Sequence, residues 1–251
     1  MKKFELDTPA LFIDLELFER NLILMRDTAE AAGKKLRPHA KTHKCPEIAR
    51  RQLAAGNCAG ICTAKLSEAE ALAEAGINDI LITSPVTAPW KISRIKELNR
   101  KINNLQVTVD NFEQIKLLAE TADKNSPLHL LIDVDPEMGR TGVAYKDAPL
   151  FADFIMQFPQ LILDGVQCYA GHLQHIKDYQ TRCAESTRLM TLGAEVFCKI
   201  KEKYPQCHIF SENSSSVKSF SIVSLMVGNI SATLTPCSMS FQLSMRHLSC
   251  R

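Results

Sequence analysis

Residues 60–85 read GICTAKLSEAEALAEAGINDILITSP and set two periodicities side by side. The two ends, GICTAK and DILITSP, are short apolar runs rich in β-branched residues. The middle, LSEAEALAEAG, repeats leucine and alanine at the spacing of one helix face. Ser67 with Glu70 reads as a capping box that opens this helix. Gly76 reads as the left-handed residue that stops it. A strand, a helix and a second strand at this spacing form a crossover unit, which makes the strands parallel neighbours.

The same unit recurs outward in both directions, with a period of roughly 25 to 35 residues. Its strand candidates are PALFIDL (9–15), KLRPHAK (35–41), AGICTAK (59–65), DILITSP (79–85), NLQVTVD (104–110), LHLLIDV (128–134), LILDGVQCYAG (161–171) and CHIFSEN (207–213). The helical stretch LFERNLILMRDTAEAAG stops at Gly33 as its counterpart does at Gly76. Candidates that are mostly apolar on both faces, alternating with helices, predict a closed (β/α)8 barrel of the TIM type. An open doubly wound sheet is the alternative. In a barrel, chemistry gathers at the C-terminal ends of the strands.

Composition narrows the function classes. Thirty Lys and Arg against 28 Asp and Glu leave a net charge of +2, too balanced for a nucleic-acid or membrane-surface partner. No run approaches the length of a membrane span, and MKKFELDTPALFIDL lacks the pattern of a secretory signal. Nine cysteines without a CxxC pair fit reduced thiols in a cytoplasmic protein. The chain divides into a barrel over 1–210 and a serine-rich tail over 211–251. The tail holds twelve serines against five in all that precedes it, and it reads as an atypical segment, a truncation or a shifted frame. Its apolar run SIVSLMV would be an exposed aggregation hazard.

One strand candidate carries unusual chemistry. KLRPHAKTHK (35–44) holds four cationic side chains and two histidines. Alternation places Arg37, His39 and Lys41 on one face, with Lys41 last before the turn and Pro46 in the first turn of the next helix. An inward lysine at a strand end suits an amine of lowered pKa that forms a Schiff base with an aldehyde cofactor. An ion-paired or snorkelling lysine would read the same way. Lys44, beyond the turn, reads as solvated.

RPHAKTHK followed by CPEIARRQLAAG resembles the cofactor-lysine motif of the D-threonine aldolases. That lineage includes the eukaryotic-type D-serine dehydratases and shares the alanine racemase N-terminal barrel. Three further stretches agree: the opening 60–85 unit, DVDPEMGRTGV (133–143) and CYAGHLQH (168–175). The likeness runs from about Thr8 to about Phe210. It implies pyridoxal 5'-phosphate as cofactor, held on Lys41, with Arg140 approaching its ring oxygen and Tyr169 its pyridine nitrogen. It implies His175 as the base that takes the proton of a substrate β-hydroxyl, with His172 in support; an imidazole suits that task near neutrality.

The implied activity is a metal-activated carbon–carbon lyase that cleaves D-threonine-like D-β-hydroxy amino acids to glycine and an aldehyde. D-serine dehydration and D-3-hydroxyaspartate cleavage are the close alternatives, and a non-catalytic pyridoxal phosphate-binding barrel is the alternative of another class. The sequence also departs from the family. The eighth strand candidate runs into SENSSSVKSF, with no glycine to wrap a phosphate; the hydroxyls of 214–216 are a substitute. The family's C-terminal β domain, with its metal ligands and dimer contacts, has no counterpart here, since His247 and Cys250 make no closed metal set. Weak lyase activity, or none, is the expectation for the chain as written.

Overall fold

The computed structural model describes residues 5, 7 and 13–213, together with the backbone of 222–227. Helices and strands alternate through it. In chain order they are α1 (Leu15–Ala31), β1 (Lys35–Pro38), α2 (Pro46–Ala54), β2 (Ile61–Thr63), α3 (Leu66–Glu74), β3 (Asp79–Ile82), α4 (Pro89–Lys101) and β4 (Asn104–Val109). There follow α5 (Phe112–Thr121), β5 (Leu128–Val134), α6 (Ala148–Ile155), β6 (Leu161–Tyr169), α7 (Tyr179–Lys203), β7 (Ile209–Asn213) and β8 (Ile222–Val227). Strands β2 to β7 pair in parallel, each with the next. β1 joins β2 through parallel bridges at Leu36–Cys58 and His39–Cys62, so the sheet curls into a barrel.

The closing strand differs from expectation. The first candidate, 9–15, supplies no strand among its described residues. Asp14 instead caps α1, its carboxylate accepting from the Leu17 N–H at 3.1 Å, and residues 9–12 lie outside the described part. The eighth strand comes from the serine-rich segment. β8 lies between β7 and β1 and runs antiparallel to both, so the backbone of this apolar run is paired. β7 crosses position 210 and β8 lies beyond it, so both halves of the 1–210/211–251 division contribute to one sheet.

Local signals explain most element ends. Gly33 and Gly76 take φ values of 63° and 88°, the left-handed turn in which a side chain is disfavoured. Pro46 and Pro89 sit at the starts of α2 and α4, where a missing N–H costs nothing. Only the glutamate half of a capping box forms in α3, displaced from Ser67–Glu70: Lys65 is the cap position without a side-chain acceptor, and Glu68 Oε2 accepts from the backbone of Ala64 at 2.9 Å and Lys65 at 3.3 Å. That half forms two residues earlier because the helix already begins at Leu66.

Strand residues alternate between two cores. Outward side chains such as Ile80, Ile82, Leu105, Val107, Leu130 and Ile132 pack with the helices. Inward ones form three levels. The floor holds Arg37, Asp79, Gln106, His129 and Asp164. Above it lies a small apolar layer of Cys62, Leu81, Leu131 and Ile209, all 3 % exposed or less. The mouth, at the C-terminal strand ends, holds His39, Thr83, Asp133 and Gln167. Cys45, Cys58, Cys62, Cys168 and Cys207 are free thiols. No helix among the described residues is long and apolar enough to cross a membrane.

Candidate active site

The mouth of the barrel opens into a narrow cleft lined by Lys41, Arg140, Tyr169, His39, Thr83 and Gln167. β1 ends at Pro38, so Lys41 stands in the turn beyond the strand rather than at its last position. The turn is tight: the Ala40 N–H bonds to the Cys62 carbonyl and the Lys44 N–H to that of Ala40, both at 2.8 Å. Arg37 consequently points to the floor, where it is 1 % exposed, and does not share the cleft. Lys44 is exposed, with Glu68 3.7 Å away.

Lys41 and Arg140 flank one aromatic ring. Lys41 Nζ lies 5.2 Å from the centroid of Tyr169 and Arg140 Cζ lies 4.6 Å from it, both within cation–π range. Among the described residues neither cation has a carboxylate at ion-pair distance. Burial, and then the nearby Arg140 charge, hold the Lys41 ammonium below its ordinary pKa. Arg140 itself is exposed, on a loop fastened by three carboxylates. Asp135 accepts from the N–H groups of Met138 (2.7 Å) and Gly139, Asp133 from the Thr141 hydroxyl (2.9 Å), and Asp110 from the Gly142 N–H (3.0 Å).

Two acids of the cleft hold their protons to higher pH than ordinary carboxylates do. Burial pushes Asp133 up to about 6 and Glu212 up to about 7. His39 is driven down to about 3 by burial and by the neighbouring Lys41, His43 and Arg140, and so stays neutral. Gln167 Oε1 and Ser211 Oγ are buried at the mouth without hydrogen-bond partners. An uncharged-capable amine, a fixed cation, a stacking ring and two unsatisfied polar atoms fit a planar anionic aldehyde, which is the cofactor type the resemblance implies.

Of the other sequence candidates, His172 and His175 lie on the short 3-10 helix Gly171–His175 that follows β6. Neither lines the cleft. His175 is exposed, and His172 is half-buried with its Nδ1 unpartnered. Ser214 to Ser216, His247 and Cys250 lie outside the described residues. Sequence reading passed over Thr83, Asp133, Gln167, Ser211 and Glu212. The available signal was a polar residue at an inward position of an otherwise apolar strand, as in LHLLIDV and LILDGVQCY.

The pattern of the alanine racemase N-terminal domain matches residues 13–220. The chain belongs to that family. Among curated members it is 36% identical, over 187 residues, to a 3-hydroxy-D-aspartate aldolase of Paracoccus denitrificans, covering 74% of this chain and 48% of that protein. It is 37% identical over 195 residues to a D-threonine aldolase of an Arthrobacter species, covering 76% and 51%. Among solved structures, D-threonine aldolase from Filomicrobium marinum superposes with a TM-score of 0.78 at 35% identity, over 82% of this chain and 56% of that one. The chain thus spans about half the length of the curated relatives it matches. These family members and this chain share the α/β barrel in which helices alternate with a curled, largely parallel sheet.

Proposed function

We propose that the chain forms the cofactor-binding barrel of a pyridoxal phosphate-dependent lyase of D-β-hydroxy amino acids, of the D-threonine aldolase kind. One observation carries this reading: Lys41, Arg140 and Tyr169, far apart in sequence, surround one cleft at the strand ends. The relatedness to D-threonine and 3-hydroxy-D-aspartate aldolases supports the substrate class. The partner is a small D-amino acid, and the setting is cytoplasmic.

When bound, pyridoxal phosphate supplies an electron sink for bonds at a substrate Cα. The chain's own residues do the rest. Lys41, with its lowered pKa, offers an uncharged amine for attachment. Arg140 brings a permanent positive charge for the ring oxygen, and Tyr169 serves the pyridine nitrogen. The resemblance gives His175, with His172 in support, the proton of the substrate hydroxyl, and both stand outside the cleft lining. Among the described residues no three or more His, Cys, Asp or Glu side chains gather for a metal.

The test is borohydride reduction of the chain incubated with pyridoxal phosphate, followed by peptide mapping. A pyridoxyl group on Lys41 is expected; label on Lys44, or none, would sink the reading. Release of glycine and aldehyde from D-threonine and from D-3-hydroxyaspartate then separates a lyase from a barrel that only binds cofactor. Ammonia release from D-serine would favour a dehydratase instead.

A further inference from the structure

We propose that His39 is a positioning residue for Lys41, acting through a hydrogen-bond chain that crosses the barrel mouth to the Arg140 loop. The proposal rests on the reading of Lys41 as the cofactor lysine, and it assigns a task to a histidine which that reading leaves unused.

The direction of the chain follows from its donors. The Lys41 backbone N–H can only donate, and it lies 3.2 Å from His39 Nδ1. That nitrogen is therefore bare, and the proton of the neutral ring sits on Nε2. Nε2 lies 3.0 Å from Thr83 Oγ1 and donates to it. The Thr83 hydroxyl passes its own proton to the Thr63 carbonyl, also at 3.0 Å. The Thr83 carbonyl accepts from Gln167 Nε2 at 3.1 Å, and the same amide donates to Asp133 Oδ1 at 3.0 Å. The second oxygen of Asp133 holds the Thr141 hydroxyl, next to Arg140.

Each link has one donor and one acceptor; a reversed His39 ring would set two donors face to face, and a reversed Gln167 amide two acceptors. A second proton on the ring would oppose the Lys41 N–H, and burial beside two cations keeps the ring neutral. The chain touches the turn after β1 and the strand ends of β3, β5 and β6. It thereby fixes the Lys41 turn relative to the loop that carries Arg140. A histidine that only filled space would not need both nitrogens satisfied in one sense.

The experiment uses residues 1–251 and the variants His39→Leu, His39→Gln and His39→Asn. Asn places its carbonyl oxygen where Nδ1 sits and keeps an acceptor for the Lys41 N–H. Gln keeps the bond to Thr83 and leaves that N–H without one. Two readouts are taken: acetylation of Lys41 by acetic anhydride across pH, with exposed Lys101 as internal reference, and the rate at which pyridoxal phosphate becomes trapped on Lys41. Loss of a single hydrogen bond predicts that Leu and Gln shift both by about five- to tenfold, and that Asn recovers to within about twofold. Wild-type values in all three variants, or Asn no better than Leu, would overturn the proposal. The expected acetylation pattern with no pyridoxyl group on wild-type Lys41 would sustain the positioning role and overturn the cofactor reading. Thermal unfolding of each variant identifies one that has merely lost its fold, and the Asn and Gln pair then decides.

Discussion

At the floor of the barrel Arg37 meets Asp79 at 2.5 Å, and the second oxygen of Asp79 takes Asn104 Nδ2 at 2.9 Å. Asp164 beside them accepts from Gln106 at 2.5 Å and holds His129 Nδ1 at 2.9 Å. At the mouth, Lys41 and Arg140 share only the face of Tyr169. The floor pairs Arg37 with Asp79 internally, as a stability-bearing end of a barrel requires, although Arg37 Nε and Gln106 Oε1 stay buried without partners. The mouth leaves two cations near acids that burial has weakened. Half-buried Lys41 is costly to hold this way unless something from outside completes it, which is the mark of a binding end.

Substitutions at the two ends should consequently fail in different ways. The largest effect expected is at the mouth: Lys41→Ala should abolish the borohydride-trapped pyridoxyl group while the thermal transition stays in place. Lys44→Ala should retain the label. If Lys41→Ala unfolds the chain, the division between a binding end and a structural end breaks.

Next comes the floor. Asp79→Ala strands the Arg37 guanidinium, whose side chain is only 2 % exposed, and should lower unfolding free energy by about 3 kcal/mol. Urea titration measures this, and cofactor attachment per folded molecule should not change. A loss of attachment without a loss of stability would reverse the roles of the two ends.

The ring between the cations should matter less. Tyr169→Leu removes the stacking surface and should weaken cofactor binding by about 1 kcal/mol. Tyr169→Phe keeps the ring and should lose less than Leu, an ordering that a fluorescence titration reads directly.

The smallest effect concerns pH. The hydrogen bond from Asp164 raises the pKa of His129 above its ordinary value of 6.5. The resulting stabilisation is complete below 6.5 and is lost as pH rises through the folded value. The wild type should therefore lose a little stability between pH 6 and pH 8 that His129→Gln does not lose. His129 is 35 % exposed along its side chain, so the change should be slight.

The strands at 79–82, 104–109 and 128–134 were legible because apolar residues on both faces leave few other structures open to them. The failures lie where one polar side chain outweighs a pattern. Asp14 turns the end of an apolar run into a helix start, and Lys65 with Glu68 opens α3 ahead of the Ser67–Glu70 signal. β8 was hidden because serines blur its period, and its place depends on two strand edges distant in sequence. Lys41, Arg140 and Tyr169 could be found from motifs. Gln167 and Thr83 could not, since the inward parity that brings them to the cleft exists only once the barrel has curled. The turn after β6 leaves His175 exposed and outside the cleft lining, which spacing alone does not reveal.

The thin layer of Cys62, Leu81, Leu131 and Ile209 also governs traffic. With side chains 3 % exposed or less, it leaves the cleft a blind alley at its inner end. Whatever enters by the mouth has to back out by the same door. A leaving molecule and an arriving one then compete for one threshold, so a ligand already seated in the cleft should slow the entry of a second.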